Sequence, residues 1–162
     1  MTSTNLSGLL YTTHAVLNAG QMLTLPTATI LNLTSVTGLE VPPFPGESIY
    51  HATKAAQEAF TNALRVELSG TNVRVLALRP GVVATHFHRQ RVGYDDEEYE
   101  GFMKGFEPLQ AEQVAKAAVW MVKMEEGVSV KAVDVVPTAQ RSLQCFDRGW
   151  NGRHGLGEEE GS

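Results

Sequence analysis

Between Leu6 and Leu17 the apolar residues Leu9, Leu10, Val16 and Leu17 recur at helical spacing, and Asn18, Ala19 and Gly20 supply a stop. This predicts a helix that starts almost at Met1. Thr29 to Thr34 (TILNLT) is short and rich in branched residues, and Gly38 with Pro42, Pro43 and Pro45 follows it, as expected of a strand leaving into a loop. Ser48 to Leu68 gives a long alanine-rich helical pattern closed by Gly70, and Asn72 to Leu78 reads as a second strand that Pro80 and Gly81 break. After a polar stretch from His86 to Gly105, helical periodicity returns through Val114, Ala117, Ala118 and Met121 in Ala111 to Lys123. Val130 to Val136 is a third predicted strand.

Helices and strands therefore alternate. That order implies parallel strands joined by right-handed crossovers, hence an α/β layer fold with about three strands and flanking helices. The expected division is a folded portion over residues 1–140 and a polar, glycine-rich, frayed tail over 141–162. With 162 residues there is room for one core and not for two ordinary domains. No internal repeat is present.

Composition narrows the class. A hydrophobic share of 43% against 19% charged residues suits a folded globular chain. The formal net charge of -5 and the lack of a Lys/Arg cluster argue against nucleic acid as a partner. The lone Cys145 cannot form an internal disulfide, no apolar run approaches the roughly 20 residues that cross a bilayer, and no signal peptide is evident. The expected location is cytoplasmic, without membrane association.

The strongest chemical signal is Tyr50-His51-Ala52-Thr53-Lys54, because a four-residue step on a helix puts the phenol and the amine on one face. A free phenol ionises near pH ~10, so proton transfer near neutrality needs a large stabilisation of the phenolate. A nearby ammonium supplies part of it, and a second positive charge must supply the rest. Thr34-Ser35 leaves the carboxyl end of the preceding strand, where parallel α/β sheets place their ligand crevice. The next strand runs into Arg79-Pro80-Gly81-Val82-Val83-Ala84-Thr85, in which a rigid proline and a permissive glycine allow a sharp turn at that same end.

Taken together, N-L-S-G at 5–8, I-L-N-L-T-S-V-T-G at 30–38, Y-H-A-T-K at 50–54 and R-P-G-V-V-A-T at 79–85 resemble the short-chain dehydrogenases/reductases in order and approximate spacing. Glu107-Pro108-Leu109 and Val135 to Gln140 look most like the branch that oxidises 3-hydroxy acids and serine-like substrates with NADP. The resemblance covers about residues 1–140. It implies part of a Rossmann-type, doubly wound parallel sheet and hydride transfer between a nicotinamide (NADP, or NAD) and a secondary alcohol or ketone. Tyr50 would be the general acid/base. Lys54 would lower its pKa and hold the nicotinamide ribose, the oxidised ring being the second positive charge. Ser35 would bind the substrate oxygen, and Asn5 would position a water that relays protons from Lys54. Pro80, Gly81, Val83 and Thr85 would hold the carboxamide, with Tyr50 and Lys54 completing the cofactor contacts. Asn32 matches a structural asparagine that ties neighbouring strands.

A complete member of that family begins with a strand and a glycine-rich turn that receives the pyrophosphate at a helix N-terminus. That nucleotide-binding half is missing here, and Asn5 falls inside a helix in the family, so the chain is expected to begin within an element. Two readings follow: an oxidoreductase, or a catalytically inactive remnant that dimerises with a full-length relative. Helices 6–18 and 48–68, which correspond to the family's dimerisation helices, would carry either a homo- or a hetero-oligomer. The small-residue stripe Ala52, Ala56, Ala59 and Ala63 suits close helix packing or such a seam. His86 and His88 lack a third ligand at sensible spacing, so no metal site is expected, and the segment from His86 to Phe106 is read as a substrate lid. Gly149, Gly152, Gly155 and Gly157 neither follow a strand nor open a helix, and read as tail.

Overall fold

The computed structural model describes residues 1–85 and 96–156. Three strands, β1 (Ala28–Leu33), β2 (Val73–Pro80) and β3 (Ala132–Val135), form a parallel sheet in the order β1-β2-β3. Leu31 lies opposite Leu76 and Asn32 opposite Ala77 in the first pair; Arg79 lies opposite Asp134 in the second. The fold is thus the expected α/β sheet with flanking helices. β2 does not stop before Pro80. Proline lacks only the N–H, and the ladder resumes at once when Gly81 N donates to Val135 O (2.8 Å).

Each sheet face takes one long helix. α1 (Leu9–Asn18) follows a π-helical turn over Ser3–Gly8, and α2 (Ser48–Glu67) connects β1 to β2 across one face. After a short α3 (Asp96–Met103), α4 (Ala111–Val122) covers the other face. α4 starts at a reciprocal cap in which Gln110 and Gln113 satisfy each other's backbone. Leu76, Leu78 and Met121 are fully buried between β2 and α4, with Leu31, Val114 and Val133 packed around them. Among the described residues β1 pairs on one side only, and its Leu33 is 60% exposed.

The frayed tail expected after residue 140 is instead folded as far as Leu156. β4 (Gln140–Ser142) and β5 (Cys145–Phe146) make an antiparallel hairpin, and α5 (Trp150–Arg153) follows. The sparse apolar residues there find a second core: Phe146 and Trp150 pack on Val82, Phe106 and Ala139. Phe106 and Phe146 stack with centroids 4.9 Å apart, and the Arg148 guanidinium lies over both rings. Polar composition concealed this because few side chains, each well placed, anchor the segment. No helix among the described residues is long and apolar enough to cross a membrane.

Candidate active site

At the carboxyl ends of β1 and β2 a cavity of about 510 Å³ opens. Ser35, Tyr50, Lys54, Pro80, Gly81, Val83 and Thr85 all line it. The local sequence explains each placement. Ser35 ends β1 in fully extended backbone, and its hydroxyl accepts from Thr37 N (3.1 Å), opening a short 3-10 turn over Val36–Gly38. The same hydroxyl donates to Pro80 O (3.4 Å), which ties the ends of β1 and β2 together. Tyr50 occupies the first turn of α2, and Lys54 the next. The ammonium lies 5.8 Å from the centre of the phenol ring, which confirms a shared face.

Ser35 meets α2 because its turn is pressed onto the helix. A Cβ on Gly38 would stand 2.9 Å from Lys54 O and 3.2 Å from Glu58 Cγ, so only glycine lets the turn come this near. His51 adds a tether, with Nδ1 2.5 Å from Thr37 O. A carbonyl only accepts, so that ring nitrogen carries the proton. At the end of β2, a Cβ on Gly81 would meet Gln140 Oε1 at 2.3 Å, and Gln140 Oε1 also accepts from Val82 N (3.0 Å). The Pro80–Thr85 turn is thereby shaped by the C-terminal hairpin.

Electrostatics centre on Lys54. Burial pushes its ammonium below the ordinary lysine range, and the Glu58 carboxylate one turn further along α2 opposes that. Glu58 is itself buried, accepts from Thr34 Oγ1, and pairs with Arg79 at 3.4 Å. Arg79 also pairs with Asp134. The network thus runs from the buried Glu58 out to Asp134, whose side chain is exposed.

Asn5 does not line the cavity. It sits in the π-helical turn, donates from Nδ2 to Thr53 Oγ1 (3.2 Å), and its carbonyl accepts from Gln57 Nε2 (2.5 Å). Asn32 is buried as expected, but it donates to Thr61 Oγ1 of α2 (2.8 Å), so it ties strand to helix rather than strand to strand. His86 and His88 lie outside the described residues. Among those described, no group of three or more His, Cys, Asp and Glu could hold a metal ion.

Several residues of the site were not picked out from sequence. Glu58 completes a four-residue series with Tyr50 and Lys54, a spacing that could have flagged it. Gln57 had only its three-residue step from Lys54. Leu143 is buried against the cavity and comes from the presumed tail. The hairpin that carries it is clamped to the loop after Gly38: Leu143 N donates to Glu40 Oε2 (2.6 Å), and Gln144 Nε2 donates to Pro42 O (3.0 Å).

The donors and acceptors around the cavity fit the ribose and carboxamide of a nicotinamide. The Lys54 ammonium, the Tyr50 phenol, the hydroxyl residues Thr34, Ser35, Thr37 and Thr85, and the Pro80-Gly81 turn all line the cavity. The chain is similar to several known proteins. Sulfoacetaldehyde reductase 2 of Chromohalobacter salexigens is 39% identical over 140 residues, covering 86% of this chain and 54% of that protein. Serine 3-dehydrogenase of Agrobacterium fabrum is 31% identical over 140 residues with the same shares. A solved closed form of serine dehydrogenase complexed with NADP+ superposes with a TM-score of 0.78 at 34% identity, covering 88% of this chain and 56% of that one. The chain spans about half the length of the curated relatives it matches. A family model described as short chain dehydrogenase matches residues 1–94, more than half of the sequence, and the chain belongs to that family.

Proposed function

We propose that this chain carries the substrate and nicotinamide end of an NADP-dependent oxidoreductase acting on a secondary alcohol or its ketone. The observation that carries the reading is the convergence of Ser35, Tyr50, Lys54 and the Pro80–Thr85 turn on one cavity at the strand ends. NADP, when bound, supplies or accepts the hydride. Tyr50 is the general acid/base, passing a proton to or from the substrate oxygen. The Lys54 ammonium stabilises its phenolate and bonds the ribose. Ser35 turns its one O–H from Pro80 O to the substrate oxygen, while Thr37 N keeps the hydroxyl oxygen in place. Pro80, Gly81, Val83 and Thr85 hold the carboxamide, and Asn5 stands behind Lys54, reached through Gln57. Small 3-hydroxy acids are the first substrates to assay, because a relative in Schizosaccharomyces pombe, 33% identical over 146 residues, is an NADP-dependent 3-hydroxy acid dehydrogenase. NAD is the alternative cofactor.

The test is fluorescence titration of NADPH into the 162-residue chain, with turnover assays alongside. Saturable binding weakened by Lys54→Ala, and turnover reduced on the order of 10²-fold or more by Tyr50→Phe, are expected. Wild-type-like turnover in Tyr50→Phe would end the assignment.

A second reading, association through α1 and α2 as a non-catalytic partner, is favoured by one observation. A groove between these helices is lined by Leu10, Tyr11, Leu17 and Phe60, and Tyr11 is 76% exposed. Sedimentation of the purified chain, alone and with a full-length relative, tests it. A chain that stays monomeric in both experiments would reject it.

A further inference from the structure

The residue that joins the two halves of the lysine's surroundings is Gln57, and the sequence motif does not include it. Its side chain is buried in α2, one turn from Lys54. Lys54 Nζ donates to Oε1 (3.0 Å), and Nε2 donates to Asn5 O (2.5 Å). The orientation of the amide is fixed at both ends by chemistry. A carbonyl can only accept, so the NH2 group must face Asn5, and an ammonium can only donate, so the amide oxygen must face Lys54. Swapping the two would leave a donor facing a donor and an acceptor facing an acceptor.

Asn5 O is the acceptor at the far end of the amide. It belongs to the π-helical Ser3–Gly8 turn, and a carbonyl oxygen has two lone pairs, so it can accept from Gln57 beside any bond within the turn. Thr53 fastens the same turn to α2 by accepting from Asn5 Nδ2, so the carbonyl that receives Gln57 is held from two sides. The result is a continuous chain from the Lys54 ammonium, through one amide, to the backbone of the N-terminal turn. An amide passes no proton easily, so this link orients the ammonium rather than draining it.

We propose that Gln57 is a positioning residue of this site: its side-chain amide holds the Lys54 ammonium in place and anchors it to the Asn5 carbonyl. The proposal rests on reading Tyr50 and Lys54 as the reacting pair, and it deepens that reading. Among the described residues, the charged and titratable groups facing Lys54 are Tyr50 and Glu58 of its own helix. From β2 there is Arg79, which reaches it only behind Glu58. The Val36–Gly38 turn presents none, and the Ser3–Gly8 turn presents the neutral Asn5. Gln57 is therefore the uncharged acceptor in a set that otherwise works through charge.

Competitive acylation of the intact 162-residue chain with acetic anhydride, followed by mass spectrometry across pH, reads the neutral fraction of the Lys54 amine directly. Removing the acceptor in Gln57→Leu disfavours the ammonium, so labelling near pH 8 should rise on the order of five-fold. Gln57→Glu puts a carboxylate in the same place and should lower it below wild type. A merely structural role would move both variants in the same direction, and that outcome, or no change in either, overturns the proposal. Opposite shifts support it. If opposite shifts appear while Tyr50→Phe keeps wild-type turnover, the positioning role stands and the proposed reaction fails, so the two ideas are separable.

Discussion

The two faces of the sheet are covered by different chemistry. Under α4, Leu76 and Leu78 meet Met121, Val114 and Ala117 in an apolar contact that asks only for shape and hydrophobicity. Of the five buried residues of α2, four are polar and Leu64 is the exception, and the polar ones are bonded: Asn32 donates to Thr61, Thr34 to Glu58, and Glu58 pairs with Arg79. Thr61 in turn donates to Gln57 O (2.7 Å), and Arg65 Nε donates to Val75 O (3.0 Å). Apolar packing is non-directional, so α4 could slide a little with small loss. Each polar bond fixes a distance and an angle, so α2 has one seat on the sheet. α2 is the helix that carries Tyr50 and Lys54. One face supplies stability, and the other supplies position.

The sharpest way to break that division is to cut the apolar face. Leu76→Ala should lower unfolding free energy by about 2–5 kcal/mol in denaturant titration, while NADPH affinity measured well below the transition changes little, because Leu76 is fully buried in the core and does not line the cavity. A large affinity loss at full folding would mean that the two faces are not separable. Next comes Glu58→Gln, which removes the anionic partner of Arg79 from a buried position. Arg79 keeps Asp134, so the expected cost is about 2 kcal/mol rather than the larger loss of a stranded charge. This variant should also weaken cofactor binding, unlike Leu76→Ala.

Asn32→Ala breaks one buried side-chain bond to α2 and should cost about 1–2 kcal/mol by the same titration. Gly38→Ala forces a Cβ to 2.9 Å from the Lys54 carbonyl, so the Ser35 turn must lift from α2. A loss of about 1 kcal/mol in stability with a disproportionate fall in turnover is expected. Equal losses in both would remove the distinction between stabilising and positioning contacts.

The smallest effect is a pH dependence. Because folding lowers the pKa of Lys54, the unfolded chain binds more protons there between the lowered value and the ordinary lysine value near ~10.4. Stability contributed by this group therefore rises with pH through that window and is lost as pH falls below it. Measured against Lys54→Met, wild type should gain relative stability as pH climbs toward the upper limit, and the difference should be flat below the lowered value. A trend of opposite sign would contradict burial as the dominant cause.

Much of this was legible in the sequence. The short runs at Thr29–Thr34 and Asn72–Leu78, bounded by turn residues, and the helical pattern of Ser48–Leu68 predicted strands and a helix within one or two residues of those observed. The turn residues Gly38, Pro80 and Gly81 marked where the site would lie. The four-residue step from Tyr50 to Lys54 is a local property of one helix, and so was readable without a fold. Two kinds of feature were not. The C-terminal segment from Gln140 to Leu156 looked like a tail because its order comes from isolated anchors such as Leu143, Phe146 and Trp150 meeting residues far away in the chain. Glu58 and Gln57 looked like ordinary helix-surface residues, since polarity in a helix normally signals solvent.

By itself the sequence determined what depends on near neighbours: the alternation of helix and strand, the pairing of phenol and amine on one helix face, and the turns that end β1 and β2. Only the tertiary structure decided that Asn5 stands behind Lys54 rather than in the cavity, that Gln57 bridges them, that Glu58 is buried against Thr34 and Arg79, and that a hairpin beyond residue 140 walls the site with Leu143. These contacts join residues tens of positions apart. Whether a polar side chain is solvated or buried with a partner depends on what the rest of the chain brings beside it, and no local pattern records that.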